Sequence, residues 1–403
     1  MYSIIEKPLW TKEYVNELFL SRNTKDKKQL RNSLLYFFTV TILGIGVGLI
    51  TNSILLSEEN SKFWLIAILF TWLDGILLIV IHEAGHFVGG IITSYRFQSF
   101  RVFSYCIVKE DNKYKIEKRK IPGTSGQCLM KPPKNWTLDS PFFLYHAGGG
   151  IATFLVSMLS LLLFKLTSSP LAQIIFFILF GYGLILTIIN LVPLQLPSSN
   201  NDGANILAIR RDKTAKETFF KQLECNAWLS DGRKLEDISE DYLKLSENAV
   251  WSEPLNYYLE WILYSKFLKE REFDKAEELL MKMEEAYHDM LPSKKIRIDS
   301  ERLYLLIIRQ VDTDCINTFY KNVADKLRIQ KLCTPILRTL IAYEKYSNNN
   351  NNNNNKCALE QYQRMFYRAM KSAACKQEAE VDYILTYQVE EACDTEKGSS
   401  DLI

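Results

Sequence analysis

Three side chains with chemistry to offer, His82, Glu83 and His86, stand in "IVIHEAGHFVGG", one of the most apolar stretches of this 403-residue chain. Burying an imidazole or a carboxylate in such a segment is costly, and where it occurs it is usually functional. His82 and His86 are four residues apart, so on a helix they project from one face a turn apart and reach the same metal ion. Glu83 then lies roughly 100° round the helix, where it touches a metal-bound water rather than the metal. This is the HExxH arrangement, in which zinc acidifies its water and the glutamate takes the proton during attack on a carbonyl. The bland alternative is a pair of histidines bonding neighbouring helices.

A catalytic zinc with two histidines needs a third protein ligand and keeps a position for water. The remaining embedded cluster is "NLVPLQLPSSNNDGAN", Asn190 to Asn205, in which Asp202 supplies a carboxylate. Pro193 and Pro197 break the backbone there, and irregular backbone at membrane depth must be buried in protein or line a wet cavity. A loop that simply ends a helix is the alternative.

The elements that must position these groups are four apolar runs: Leu34–Leu56, Phe63–Thr93, Phe142–Leu166 and Ala172–Leu196. Each exceeds the roughly 20 residues that cross a hydrocarbon core. The first 30 or so residues are charged and lack an apolar core, so no cleavable signal peptide is expected. Lys25, Lys27, Lys28 and Arg31 precede the first run. Arg96, Arg101, Lys109, Lys113, Lys115, Lys118, Arg119, Lys120, Lys131 and Lys134 fall between the second and third, and Arg210, Arg211 and Lys213 follow the fourth. Basic loops stay in the cytoplasm, which gives four spans with both termini inside. His82 comes about 19 residues into the second run, roughly 28 Å down, and the fourth run ends at the same level. Topology therefore brings Asp202 to the depth of the histidines.

The paired motifs, HEAGH in one run and Asn-x-x-Pro leading to Asp-Gly after a later one, resemble those of the site-2 protease family of intramembrane zinc metalloproteases. The resemblance covers roughly residues 33–210. It implies His82, His86 and Asp202 as zinc ligands, Glu83 as catalytic base, and Asn190 as a residue that bonds the substrate backbone or the developing oxyanion. It implies a bacterial cell membrane as the location. The interval from Asn190 to Asp202 is longer than in the family's commonest versions. The family's Gly-Gly-Pro-like segment reads "HAGGGIA", His146 to Ala152, without the proline; these glycines still permit close helix approach.

Two other polar groups lie in the runs. Asp74, about 12 Å from His82 along the same helix, is too distant to share its metal and is expected to bond another span or a wet cavity, with substrate contact as the alternative. His146, at the cytoplasmic end of the third run, is expected to face solvent, with substrate orientation as the alternative.

Between the second and third runs, "FQSFRVFSYCIV" and "KYKIEKRKI" flank the turn-like "KEDN" and predict one β-hairpin, followed by a Gly/Pro-rich loop, "IPGTSGQCLMKPP". Family likeness suggests that the hairpin holds an extended substrate. From residue 213 the chain reads as soluble helical hairpins whose second helices start near Asp274, Asp314 and Lys356, a loose likeness to tetratricopeptide repeats. Asn348–Asn355 would be an insertion at the third turn. The eight cysteines, Cys106, Cys128, Cys225, Cys315, Cys333, Cys357, Cys375 and Cys393, form no CxxC pair and are expected to be reduced thiols.

The expected fold is thus mainly α: a four-span bundle with a small β-hairpin insertion, then a soluble tetratricopeptide-like domain. Its divisions are a cytoplasmic segment at 1–32, the membrane metalloprotease domain at 33–212 with an insertion at 95–140, and the helical domain at 213–403. The expected activity is zinc-dependent hydrolysis of a peptide bond in or near the transmembrane segment of a membrane protein or peptide precursor. The expected partners are that substrate, the lipid bilayer and a protein at the helical domain, with no nucleic acid. The rival reading is a catalytically inactive membrane scaffold whose helical tail recruits a protein partner.

Overall fold

A computed structural model describes residues 8–23, 64–110, 113–121, 123–246, 249–330, 332–350, 356–373 and 375–387, with scattered residues of 38–53. The molecule is mainly helical, with one small antiparallel sheet. It divides into two compact units, one of residues 28–117 and 124–227, the other of residues 1–27, 118–123 and 228–403.

Among its described residues the first unit holds three helices long and apolar enough to cross a membrane: α2 (Trp64–Ile92), α3 (Phe143–Leu166) and α4 (Pro170–Leu191). Their outer faces carry exposed Leu65, Trp72, Leu155 and Leu166, as lipid-facing helices do. The predicted first span, Leu34–Leu56, lies only partly within the described residues, and those described there are helical.

Small residues set how closely these helices meet. A Cβ on Gly85 would lie 2.2 Å from the Gly148 carbonyl oxygen, and one on Gly89 would lie 2.1 Å from that of Leu144. Gly85 and Gly89 are the GxxxG spacing that lets backbones touch, so α2 and α3 cross in contact. Deeper in the bundle the Thr153 and Thr187 hydroxyls bond each other across α3 and α4 at 2.9 Å.

The insertion is richer than the single hairpin expected. Its strands are β1 (Arg96–Val102), β2 (Tyr105–Glu110), β3 (Lys113–Lys118) and β4 (Gly126–Lys131), in the order β3-β2-β1-β4. The stretch that reads as one strand is two, folded at residues 103 and 104 where Val102 pairs with Tyr105. Phe103 adopts φ 52° there, a conformation normally left to Gly or Asn, which is why the turn is invisible in the sequence. The segment expected as loop contains β4, which buries Cys128 and Met130 and pairs with β1.

Beyond α4 come α5 (Asp202–Arg211) and α6 (Lys213–Ser230). The boundary between the two units comes later than the expected 213. Through Ala227, α6 belongs to the membrane unit because Phe219 packs on His146, and Phe220 stacks on Trp136.

The second unit is built of α7 (Tyr257–Lys269), α8 (Phe273–Glu285), α9 (Pro292–Ile308), α10 (Thr313–Ile329), α11 (Thr334–Asn350) and α12 (Lys356–Lys371). Helices start at Phe273, Thr313 and Lys356, within a residue of the expected second members. The asparagine tract differs: α11 runs into it as far as Asn350, and residues 351–355 lie outside the described set.

The N-terminal segment does not stand apart as expected. Helix α1 (Lys12–Asn23) packs on α10, and Arg22 reaches Asp299 at 2.5 Å and Glu284 at 3.2 Å. Tyr287 donates to the second oxygen of Asp299 at 2.9 Å, while Arg302 pairs with Glu284 at 2.6 Å. Each buried charge in this group has an opposite charge beside it, without which its burial would be prohibitive. Lys120 of the 118–123 segment donates its backbone N–H to Ser372 O at 2.8 Å, tying that segment to the same unit.

Candidate metal centre

His82 and His86 lie on α2 where it crosses α3, and both are buried. Asp202 arrives from the other end of the unit, at the first residue of α5. The Oδ2 of Asp202 is 3.3 Å from each Nε2, and the two Nε2 atoms are 3.1 Å apart. Ligands about 2.0–2.1 Å from a tetrahedral zinc are separated by about 3.3–3.4 Å, so these three atoms span one face of such a tetrahedron. The donor set, two imidazoles and a carboxylate, could hold a metal ion with a coordination position left open.

Each ligand is held by named neighbours. His86 Nδ1 is 2.7 Å from the Tyr145 carbonyl oxygen, which can only accept, so Nδ1 carries the proton and Nε2 keeps its lone pair for the metal. His82 Nδ1 is buried with no hydrogen-bond partner among the described residues. The α-carbon of Gly149 forms the floor: a Cβ there would stand 2.6 Å from His82 Cε1 and 2.6 Å from His86 Nε2.

The residue that places Asp202 is one the sequence reading passed over. Asn201 caps α5, its Oδ1 accepting from Ala204 N at 2.8 Å and from Leu194 N at 3.0 Å. Its Nδ2 donates to the carbonyls of Ile189 and Val192, both at 2.6 Å. One amide thus ties the end of α4, the proline-containing loop and the start of α5 together. The signal was available, since Asn just before Asp-Gly is a favoured helix N-cap. Gly203 completes the joint, for a Cβ there would lie 2.2 Å from Leu191 O.

Glu83 is buried beside the histidines, against β4: a Cβ on Gly126 would lie 2.3 Å from its Oε1. Tyr145 anchors that strand, donating from its hydroxyl to Cys128 O at 2.9 Å. β4 is an edge strand of the sheet, so its outer side has no strand partner among the described residues.

Asn190 is not drawn into the cluster; its Nδ2 donates to Leu186 O of its own helix at 2.9 Å. His146, expected to face solvent, is buried, its ring 4.8 Å from that of Phe219. The reason is α6, whose aromatic face covers the end of α3. Asp74 is buried within α2, and its Oδ2 has no hydrogen-bond partner among the described residues.

The chain matches no family model, no curated protein and no solved structure. A second acidic group, Glu240, Glu270 and Glu272, also gathers carboxylates. Lys244 and Lys275 pair with Glu240, Lys266 with Glu270 and Lys275 with Glu272, so those charges are already met.

Proposed function

We propose that this chain is an intramembrane zinc metalloendopeptidase similar to the site-2 protease family. In this reading it hydrolyses a peptide bond in or near the transmembrane segment of a membrane protein or peptide precursor. The observation that carries the reading is the convergence of His82 Nε2, His86 Nε2 and Asp202 Oδ2, from helices far apart in the chain, beside a buried glutamate. A zinc ion held by those three atoms supplies a Lewis acid for the carbonyl and a water that ionises near neutral pH.

The chain's own residues do the rest. Glu83 takes the proton of the attacking water and returns it to the leaving amine. A helical substrate hides its amides and must unwind to be cut; the outer edge of β4 then pairs with the freed backbone, so the extended segment lies along Glu83. Asn190 serves the oxyanion or substrate backbone in the same reading once its side chain leaves Leu186 O.

A parity argument supports four spans. α1 and residues 118–123 belong to one compact unit of polar helices, which a bilayer cannot divide. Only α2 among the described candidate spans separates them. One further crossing is then needed between them, and Leu34–Leu56 is the apolar run available. Four spans with basic loops inside give a multi-pass membrane protein with both termini cytoplasmic; the family likeness adds a bacterial cell membrane. The helical unit, built of hairpins similar to tetratricopeptide repeats, would hold a protein partner.

The test compares membrane-protein fragments in cells carrying wild type or Glu83→Gln. Fragments present with the wild type and missing with the variant are expected. Identical patterns would overturn the peptidase reading and leave a scaffold.

A further inference from the structure

The wall against which Glu83 rests is organised by a charge that the metal ligands do not use. Arg101 lies on β1 and is 2% exposed. A guanidinium so deep normally meets a carboxylate at ion-pair distance. Arg101 instead donates from Nη1 to Phe103 O at 2.6 Å and to Thr124 O at 3.3 Å. From Nη2 it donates to Thr124 Oγ1 and, at 3.1 Å, to Gly126 O. Its Nε has no hydrogen-bond partner among the described residues. One side chain thus ties the turn after β1 to the segment that leads into β4.

Glu83 is a carboxylate within electrostatic reach of this guanidinium. Gly126 makes the mechanical link. Its carbonyl is held by Arg101, while its α-carbon faces Glu83 so closely that a Cβ would stand 2.3 Å from Oε1 and 2.7 Å from Cγ. A carboxylate against such a wall has few orientations left, and the wall stands where Arg101 puts it.

We propose that Arg101 is a positioning residue for Glu83, acting through Thr124 and Gly126 to aim the carboxylate at the water that attacks; this rests on the metallopeptidase reading above. Its charge also lies where it balances the buried glutamate, which explains why an arginine rather than a neutral donor occupies the sheet interior.

Cobalt replaces zinc as a visible probe, because its d–d bands respond to hydrogen bonding around the metal. The full-length chain in detergent is loaded with cobalt as wild type, Glu83→Gln, Arg101→Gln, Arg101→Lys and the Glu83→Gln/Arg101→Gln double variant. Arg101→Gln is expected to bind as much cobalt as wild type and to shift the bands in the direction that Glu83→Gln shifts them. Arg101→Lys, which keeps the charge, should restore part of the wild-type spectrum. The double variant should match Glu83→Gln alone, as two residues acting through one group do.

A wild-type spectrum in Arg101→Gln beside a shifted Glu83→Gln overturns the proposal while leaving the metal centre standing. Additive shifts in the double variant overturn it too. If Arg101→Gln does not fold, Thr124→Val decides: it leaves the guanidinium in place, and bands that stay at their wild-type positions overturn the proposal. A wild type that takes up no cobalt, or a Glu83→Gln spectrum that does not move, overturns the metallopeptidase reading and this inference with it.

Discussion

The Nδ1–H of His86 donates to the backbone carbonyl of Tyr145 across 2.7 Å. The bond couples a candidate ligand on α2 to the main chain of α3, and the same tyrosine's hydroxyl reaches on to β4. Ring orientation, tautomer and the strand beside Glu83 are therefore set by one residue at the crossing of α2 and α3.

The first prediction concerns metal stoichiometry. The purified full-length chain should carry about one zinc, as a site with three protein ligands does. Glu83→Gln should retain it, because the glutamate stands beside the ligand triangle rather than in it. Asp202→Ala should lose most of it. Metal analysis of the three proteins decides, and a full complement in Asp202→Ala would mean that a different group is the third ligand.

Gly149 offers a sharper test of geometry. A methyl group there meets His82 Cε1 and His86 Nε2, both at 2.6 Å, so Gly149→Ala should cut zinc affinity by at least about tenfold without unfolding the bundle. Gly75→Ala on α2 is the control, since nothing lies within 4 Å of its added carbon. Equal zinc affinity in the two variants would show that α3 does not floor the site.

Topology can be read with single cysteines and a membrane-impermeant thiol reagent in a background free of other cysteines. Cysteines introduced at Ser57 and Ser168 should react from outside intact cells. Those at Lys113 and Lys371 should react only after the membrane is opened. Protection of Ser57→Cys in intact cells would remove the crossing assigned to Leu34–Leu56.

The helical unit should show its own pH dependence. Glu260 on α7 is buried, and burial pushes its carboxyl up to about 7 although Oε1 accepts from Leu245 N at 3.1 Å. The folded state then binds a proton that the unfolded chain, with its ordinary glutamate near 4.5, releases. Stability from this group is fully present below about 4.5 and is lost as pH rises through about 7. Hydrogen exchange of α7, corrected for intrinsic rates, should show protection falling about thirtyfold between roughly pH 5.5 and 8. Glu260→Gln should flatten the profile, and an unchanged slope in that variant would assign the effect elsewhere.

Much of this arrangement was legible in the chain because the signals are local. The His82, Glu83 and His86 spacing needs only helical geometry, and apolar length alone marks α2, α3 and α4. The starts of α8, α10 and α12 follow from period and charged breaks. What stayed hidden depends on contacts between distant residues. The fold at Phe103 is held by Arg101 and by Ser125 O, which accepts its N–H at 2.7 Å, so no turn-forming residue is required. β4 reads as loop because Gly and Pro flank it, and it is a strand because β1 offers a partner. His146 looks interfacial until α6 folds over it. The anchoring of α1 was unreadable because Arg22 finds its counter-charges on α8 and α9.

The separation of Arg22 from Asp299 by 277 residues has a consequence for biogenesis. During synthesis α1 leaves the ribosome first, yet its acidic seat is made only after every apolar run has been handed to the bilayer. The unit that holds α1 therefore closes last, after the apolar runs have all been made. A span that fails to insert would strand α1 on the wrong side and leave Glu284 and Asp299 short of a cation, an exposed defect that quality-control proteases can recognise.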